Sequence, residues 1–323
     1  MPAFNKAPKL FDGLDRVQNY LENNGFEKGY SLYTVILKTI FPNYLFLQFI
    51  SAFLDYIVLH YFFKEYVPKY YGLAWAIYLI FQGYVFEIII IRNTKSIMLF
   101  LLSIKYIGNK KPLKYFALNI LGFLFHSSAI LYFPIYFLCQ IKRKPKVELI
   151  IFLIGNIFYL LQIKWITEIL LNLPILPGRL QSMLNIYLSS EKFSSAYGLT
   201  IGYLGRTASF IILYHYSFEF IKEDKNKLIF WYLFLVYIYV YLYFSEMMII
   251  LERVPNLFVC SYWVLYPYFY GKINKEKKYI FILCLLFYGS LKMISLFNVK
   301  SSYFETFLFS YNDIATRKQY FTY

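Results

Sequence analysis

The sequence predicts an all-α fold, a polytopic transmembrane helical bundle with broken or re-entrant short helices. Three observations carry this. First, 59% of the residues are hydrophobic, gathered in runs near the length of a membrane-spanning helix. Second, Lys+Arg 33 outnumber Asp+Glu 18, and the lysines cluster in the short connections between those runs, as the positive-inside rule requires of cytoplasmic loops. Third, residues 92–137, RNTKSIMLFLLSIKYIGNKKPLKYFALNILGFLFHSSAILYFPIYF, are flanked and interrupted by charge in a way that ordinary spans do not allow. Lys110, Lys111 and Lys114 precede a long apolar run, and Lys142, Arg143, Lys144 and Lys146 follow it, so both ends belong on the cytoplasmic side. One crossing cannot satisfy that. Two half-crossings, 112–125 and 127–139, can; each is about 20 Å long against a hydrocarbon core of about 30 Å. They would meet at His126 and place it, with Ser127 and Ser128, in the outer half of the membrane. Non-helical backbone survives there only against protein or a watery cavity, so His126 is expected to line a cavity.

The remaining elements follow in order. Residues 1–43 form an external or interfacial segment. Residues 1–30 are polar and lack the charged and apolar regions of a signal peptide. Counting topology back from the lysine-rich loops puts them outside, so either a short tail is translocated or a first helix precedes the chain as given. Residues 30–41 are amphipathic and too short to span, an interfacial or re-entrant helix stopped before Pro42. Spans are expected at 44–63 and 72–91, then a short helix at 96–107 and the two half-crossings. Further spans are expected at 147–166, 197–221, 228–250, 255–271 and 279–298. The external loop 167–196 and a tail 299–323 complete the chain. No repeat and no long linker is evident, so 1–323 reads as one multi-pass membrane domain with its core at 44–298.

Under this scheme Lys64, Lys69, Lys222, Lys225, Lys227, Lys272, Lys275, Lys277 and Lys278 join the clusters above on the inside. The outer segments retain arginines: Arg92, Arg179 and Arg253. Lysine suits a solvated face as a point charge, whereas the planar guanidinium grips phosphate bidentately. The net charge of +15 is thus topological, and no soluble domain presents a basic surface, which excludes nucleic acid as a partner. Cys139, Cys260 and Cys284 lie in apolar runs without CxxC spacing and imply neither zinc nor disulfides.

The candidate chemistry rests on few side chains. Arg92 follows four isoleucines and is either an interfacial anchor or a substrate ligand. Arg206 lies about nine residues, roughly 14 Å, into its expected helix beside Gly198, Gly202 and Gly205. An ionisable group at such depth is functional by default, or else it pairs with Asp55, mid-span on a polar stripe with Gln48 and Ser51. Arg253 shares a helix face with Glu246, as a structural pair or a substrate site. Arg179 follows a Pro-Gly turn in LNLPILPGRLQSMLNIYL, a surface helix or a binding loop. Asn93 and Ser127 adjoin Arg92 and His126 and are counted with the arginines as substrate-binding. Glu27, just ahead of the re-entrant helix, and His126 are the two candidate bases; His60 and His215 sit near cytoplasmic helix ends.

Arg92 followed by a short helix, a lysine-rich turn and FHSSAI resembles the EpsG family of Wzy-type polysaccharide polymerases, where an arginine, a short helix and an FHxSAL-like element recur in this order. Asp15, Tyr20 and EKGY at 27–30 resemble the family's earlier elements, and Arg253 followed by an aromatic span and Pro267 its later arginine element. The resemblance covers nearly the whole chain. It implies a GT-C-like glycosyltransferase, multi-pass in the bacterial plasma (inner) membrane with its active site facing outward, serving capsular, exo- or O-antigen polysaccharide biosynthesis. Such an enzyme moves a growing glycan from undecaprenyl diphosphate onto another lipid-linked repeat unit and releases undecaprenyl diphosphate. Arg92, Arg179, Arg206 and Arg253 suit the charge that grows on a diphosphate leaving group. His126, Glu27 and Arg92 would be catalytic. No DxD occurs, so neither a metal nor a cofactor is expected. The implied partners are the lipid-linked oligosaccharides and membrane lipid, with a flippase and a chain-length regulator. Two other classes stay open: a transporter or flippase of lipid-linked sugars using Arg206 and Asp55, or a membrane acyltransferase using His126 on a glycan hydroxyl.

Overall fold

Proline marks where helices begin. Pro112, Pro145 and Pro255 each sit at the start of a helical segment, where a missing N–H leaves no bond unmade. The computed structural model describes residues 2–83, 86, 90–172, 199–224, 226–246 and 254–308, and among these all regular structure is helical, with no strand. The chain divides into two compact units, Met1–Phe133 with Tyr270–Tyr323, and Pro134–Phe269.

The first unit holds a short turn at Pro2–Lys6, then α1 (Leu14–Asn23), α2 (Lys28–Ile40), α3 (Tyr44–Tyr66), α4 (Tyr71–Tyr78), α5 (Ile91–Gly108) and α6 (Pro112–Phe125). α6 folds back on α5 through a turn in which Lys110 takes a left-handed φ of 53°. The two helices bury Ile97, Phe100, Leu101 and Ile104. Asn119 Nδ2 donates to Ser103 Oγ at 3.1 Å across that interface. At His126 the backbone becomes extended (φ −157°, ψ 129°) and a 3₁₀ segment, Ser127–Tyr132, follows. That segment is anchored where Tyr132 stacks on Phe100 at 3.9 Å and its carbonyl accepts from Tyr115 Oη at 2.6 Å. The break expected at His126 is therefore present, although the returning limb begins as 3₁₀ helix rather than a continuous α-helix.

The second unit takes in α7 (Phe133–Leu138) from Pro134, then α8 (Pro145–Leu161), α9 (Trp165–Asn172), α10 (Ile201–Glu223), α11 (Asn226–Tyr243), the 3₁₀ turn Pro255–Phe258 and most of α12 (Cys260–Lys272). α13 (Lys275–Leu308) belongs to the first unit and runs past the expected end of its span at 298. In the second unit Arg143 grips Glu148 with Nε and Nη2, each at 3.1 Å, while Trp231 Nε1 also donates to Glu148. Arg143, read from sequence as a topological charge, thus ties the start of α8 to α11 and, through Ser217 Oγ at 2.6 Å, to α10.

Three expectations need correcting. The run 72–91 is not one regular helix: α4 passes into a π-helical turn at Leu79–Gly83, and Ile91 already begins α5. Arg92 and Asn93 accordingly stand in the first turn of α5 instead of trailing an earlier span. The polar run RNTK fell between the expected span 72–91 and the expected short helix 96–107, because its partners come from distant sequence. Asp55 does not pair with Arg206; its Oδ2 accepts from Lys95 Nζ at 2.6 Å, because α3 packs against α5. Among the described residues, Tyr44–Tyr66 and Asn226–Tyr243 are the two helices long and apolar enough to cross a membrane. Shorter apolar helices stand at 112–125 and 127–138, where 112–125 and 127–139 were expected.

Candidate functional site

The site is built in the first unit, where the starts of α2 and α5 meet the end of α6. It begins with a tight turn at Asn24-Gly25-Phe26. Asn24 Oδ1 accepts from the Phe26 amide at 2.7 Å, an Asx turn, and Gly25 supplies the left-handed φ of 75°. Asn24 Nδ2 donates to Ser31 Oγ, which in turn donates to the Glu27 carbonyl, so the entry into α2 is fixed from both sides. Glu27 occupies the N-cap position of α2, yet its side chain makes no cap bond there. It reaches outward instead. Oε2 accepts from Arg92 Nη1 at 2.8 Å and Oε1 accepts from the Ser127 amide at 3.0 Å.

Gly29 permits that reach. A methyl group at position 29 would lie 2.6 Å from the Leu124 carbonyl oxygen and 2.8 Å from Leu124 Cβ, closer than any real contact. The first turn of α2 therefore rests directly on the last turn of α6, and this brings Glu27 against the break at His126. Replacing Gly29 with alanine normally favours a helix by about 1 kcal/mol. Here the obstacle is backbone, which cannot swing aside. The expected result is a net destabilisation of about 1–3 kcal/mol, the usual range for overpacking, read as a lowered melting temperature of the detergent-purified protein. An unchanged or raised melting temperature would mean that α2 and α6 have room to spare.

Arg92 lies over the Phe26 ring, its guanidinium carbon 4.4 Å from the ring centroid, and 5.9 Å from that of Tyr30. Its side chain remains 33% exposed and that of Glu27 22%. Among the described residues, the bond to Glu27 uses Nη1 alone. For Glu27, burial by itself pushes the carboxyl up, but the Ser127 amide, its own backbone N–H and the charges of Arg92 and His126 outweigh that and hold it below the ordinary carboxylate value. The contact is then at full strength at neutral pH and fades only as the medium falls acid through that lowered value.

His126 and Asn93 are linked through Ser128. Ser128 Oγ lies 2.7 Å from His126 Nδ1 and donates to Asn93 Oδ1 at 2.8 Å; the Ser128 amide donates to Nδ1, at 3.2 Å. Asn93 is buried, while Ser127 is exposed. Ala129, the small residue of FHSSAI, is fully buried. One turn further along α5, Lys95 is held by Asp55 and by the Ser51 carbonyl, both at 2.6 Å. Five of the residues singled out in the sequence, Glu27, Arg92, Asn93, His126 and Ser127, are thus brought together. Phe26, Gly29 and Lys95 were not assigned a place there, and Ser128 was placed beside His126 without a role. The glycine of EKGY and the second serine after His126 were the available signals.

Arg206 lies in the second unit on α10. Its guanidinium stacks on Tyr241, 3.9 Å from the ring centroid, and Nη1 donates to the Gly202 carbonyl at 3.0 Å. Tyr241 Oη in turn lies 3.1 Å from Tyr159 Oη, and Tyr159 stacks on Tyr203 at 4.4 Å. Arg179 and Arg253 lie outside the described residues, and with Arg253 the proposed pairing to Glu246; Glu246 Oε1 accepts from the Ile166 amide at 2.6 Å.

No curated protein and no solved structure matches the chain. A family model does: that of the EpsG family matches residues 9–312. That span includes EKGY, Arg92 and FHSSAI, the elements that meet at this site, and it leaves out only the two ends of the sequence; the chain belongs to the EpsG family.

Proposed function

We propose that the protein is a multi-pass membrane polymerase that joins lipid-linked oligosaccharide repeat units. Family membership suggests a polysaccharide-polymerase type of role. The observation that carries the finer reading is an arginine fork held by Glu27 over Phe26, next to a histidine at a helix break. With Nη1 engaged by Glu27, the Nη2 and Nε edge of Arg92 is suited to grip a diphosphate oxygen pair. A carboxylate bound on both oxygens and held below its ordinary value is a weak base, so Glu27 positions Arg92 and His126 takes the proton.

In the proposed step the acceptor hydroxyl loses its proton to His126 as its oxygen bonds to the anomeric carbon of the donor glycan. The bond from that carbon to the diphosphate oxygen breaks, and its electron pair leaves with undecaprenyl diphosphate. Arg92 meets the charge that grows on the leaving group. The exposed Ser127 hydroxyl is available to substrate. The reaction would take place at the outer face of the bacterial plasma membrane in capsular, exo- or O-antigen polysaccharide synthesis, in a GT-C-like fold, with a flippase delivering units and a regulator setting chain length.

A bilayer setting is supported by apolar surface that water would not tolerate. α8 leaves Ile150, Leu153, Ile157 and Leu161 exposed along one stripe, and α13 leaves Ile280, Leu283 and Phe287. The test is reconstitution into liposomes with undecaprenyl-diphosphate-linked repeat units. Polymer should appear with one undecaprenyl diphosphate released per bond formed. Movement of units across the bilayer without polymer would replace this reading by a transporter, for which the buried Lys95–Asp55 pair is the specific observation.

A further inference from the structure

α1 and α2 lie antiparallel, and three contacts give their register. Asn24 meets Ser31, Val17 clusters with Val35, and the Leu10 amide donates to Thr39 Oγ1 at 2.8 Å. Leu10, Phe11 and Leu14 therefore gather at the Lys38–Phe41 end of α2, the end from which α3 departs. Phe11 is 90% exposed and Leu14 85%, and Leu10, Ile40 and Phe41 are exposed at the same end. On α2, Leu32, Ile36 and Ile40, spaced four apart on one face, continue that apolar edge. The edge is firmly held. Lys38 Nζ donates to the carbonyls of Phe4, Asn5 and Ala7 at 2.9, 2.8 and 2.6 Å, and Phe4 packs with Leu37 and Leu47, which joins the segment to both α2 and α3.

We propose that this edge is a membrane-surface anchor: Leu10, Phe11 and Leu14, with Ile40 and Phe41, dip into the outer leaflet of the bilayer that α3 crosses. The proposal rests on the bilayer setting argued above. The 23 residues of α3 run about 35 Å against a hydrocarbon core of about 30 Å, so with Lys64 at the inner end Tyr44 stands at the outer surface. Leu47, Ser51, Asp55 and Leu59 make the buried face of α3, and Phe49, Phe53 and Ile57 are exposed on the other, where lipid lies. The apolar edge adjoins the outer end of that stripe, at the level where the hydrocarbon begins, and this continuity makes lipid its occupant. Lys6, Lys9 and Arg16 are matched by Asp12, Asp15 and Glu22, so apolar insertion, not attraction to anionic headgroups, holds the edge. The far end of α2 carries Glu27, so the anchor steadies the helix that presents Glu27 to Arg92.

The experiment reads depth in the full chain, reconstituted into nanodiscs of phosphatidylcholine. A nitroxide is attached at Phe11→Cys, Leu14→Cys, Gln18→Cys and Phe53→Cys, one variant at a time, in a background with Cys139→Ala and Cys284→Ala; Cys260 is fully buried and stays. Relaxation by oxygen, which concentrates in hydrocarbon, is compared with relaxation by a water-soluble nickel chelate. Labels at positions 11 and 14 should favour oxygen and read about 5–10 Å below the headgroup phosphates. The label at Gln18, exposed on the polar face of α1, should favour nickel, and the label at Phe53 should favour oxygen. Nickel favoured at 11 and 14 with oxygen favoured at 53 would overturn the anchor and leave the bilayer reading standing; nickel favoured at all four would overturn both. Labels at 11 and 14 shielded from both reagents would show a protein surface in place of lipid, a second copy of this chain or another, and would also overturn the proposal. Because Phe11 and Leu14 are exposed, their variants should melt as the parent does, so the depths come from folded protein.

Discussion

Replacing Lys95 by methionine is expected to destabilise the protein by about 3–5 kcal/mol, the usual consequence of stranding one half of a buried ion pair. The lysine and Asp55 side chains are only 8% and 3% exposed. Lys95 Nζ donates to the carboxylate and to the Ser51 carbonyl, so its removal leaves a desolvated charge on α3 and strips the Ser51 carbonyl of its second donor. The double variant Lys95→Met with Asp55→Leu removes the desolvation penalty together with the attraction, and should recover most of the loss. Thermal unfolding in one detergent, with the exposed Lys105→Met as control, measures the cycle. If the single and double variants melt alike, the pair is uncoupled and the argument fails. The same cycle bears on function. A structural pair predicts that the double variant still polymerises, since its task is to seat the first turns of α5 against α3 and so hold Arg92 one turn away. A transport site predicts that the double variant is inactive however well it folds.

What could be read from the sequence, and what could not, divides along local and distant contacts. The break at His126 was legible because topology is a local signal: lysines on both sides of an apolar run forbid a single crossing, and the backbone does turn extended there. The start at Pro112 was legible for the same kind of reason, whereas α8 starts at Pro145, two residues before the expected 147. The start of α5 was not. RNTK falls between the expected helices 72–91 and 96–107 until each side chain finds its partner: Arg92 with Glu27, Asn93 with Ser128, Thr94 with the Phe86 carbonyl and Lys95 with Asp55. All but the Phe86 bond join segments far apart in the chain, and nothing local announces them. Asp55 illustrates the ambiguity. The sequence offered Arg206 as its partner and gave Lys95 no such part; α3 packs on α5 and brings Lys95 to it, while Arg206 rests on Tyr241. Gly29 illustrates a different limit. Its presence in EKGY was visible, but its reason, backbone contact with Leu124, belongs to the tertiary structure.

Arg92→Lys should reduce polymer formation roughly 30- to 150-fold while leaving single lipid-linked units on the outer face. Lysine keeps the charge and can still approach Glu27, yet it has no second nitrogen in a fixed plane with which to grip a phosphate oxygen pair. It would also lose the flat stacking of the guanidinium on Phe26, which fixes the direction of the fork. The loss of one charge-assisted contact made mainly in the transition state is worth about 2–3 kcal/mol, which gives the stated range. Because the contact strengthens as charge moves onto the diphosphate, the fall should appear in kcat and kcat/KM together, with KM nearly constant. Glu27→Gln tests the same geometry from the other side: the fork keeps its shape and loses its anchor, so the loss should be smaller and should include a rise in KM. Cells carrying Arg92→Lys would be analysed for polymer length and for the sidedness of repeat units. Units trapped on the inner face would point to a transporter, and polymer of normal length would remove Arg92 from the chemistry.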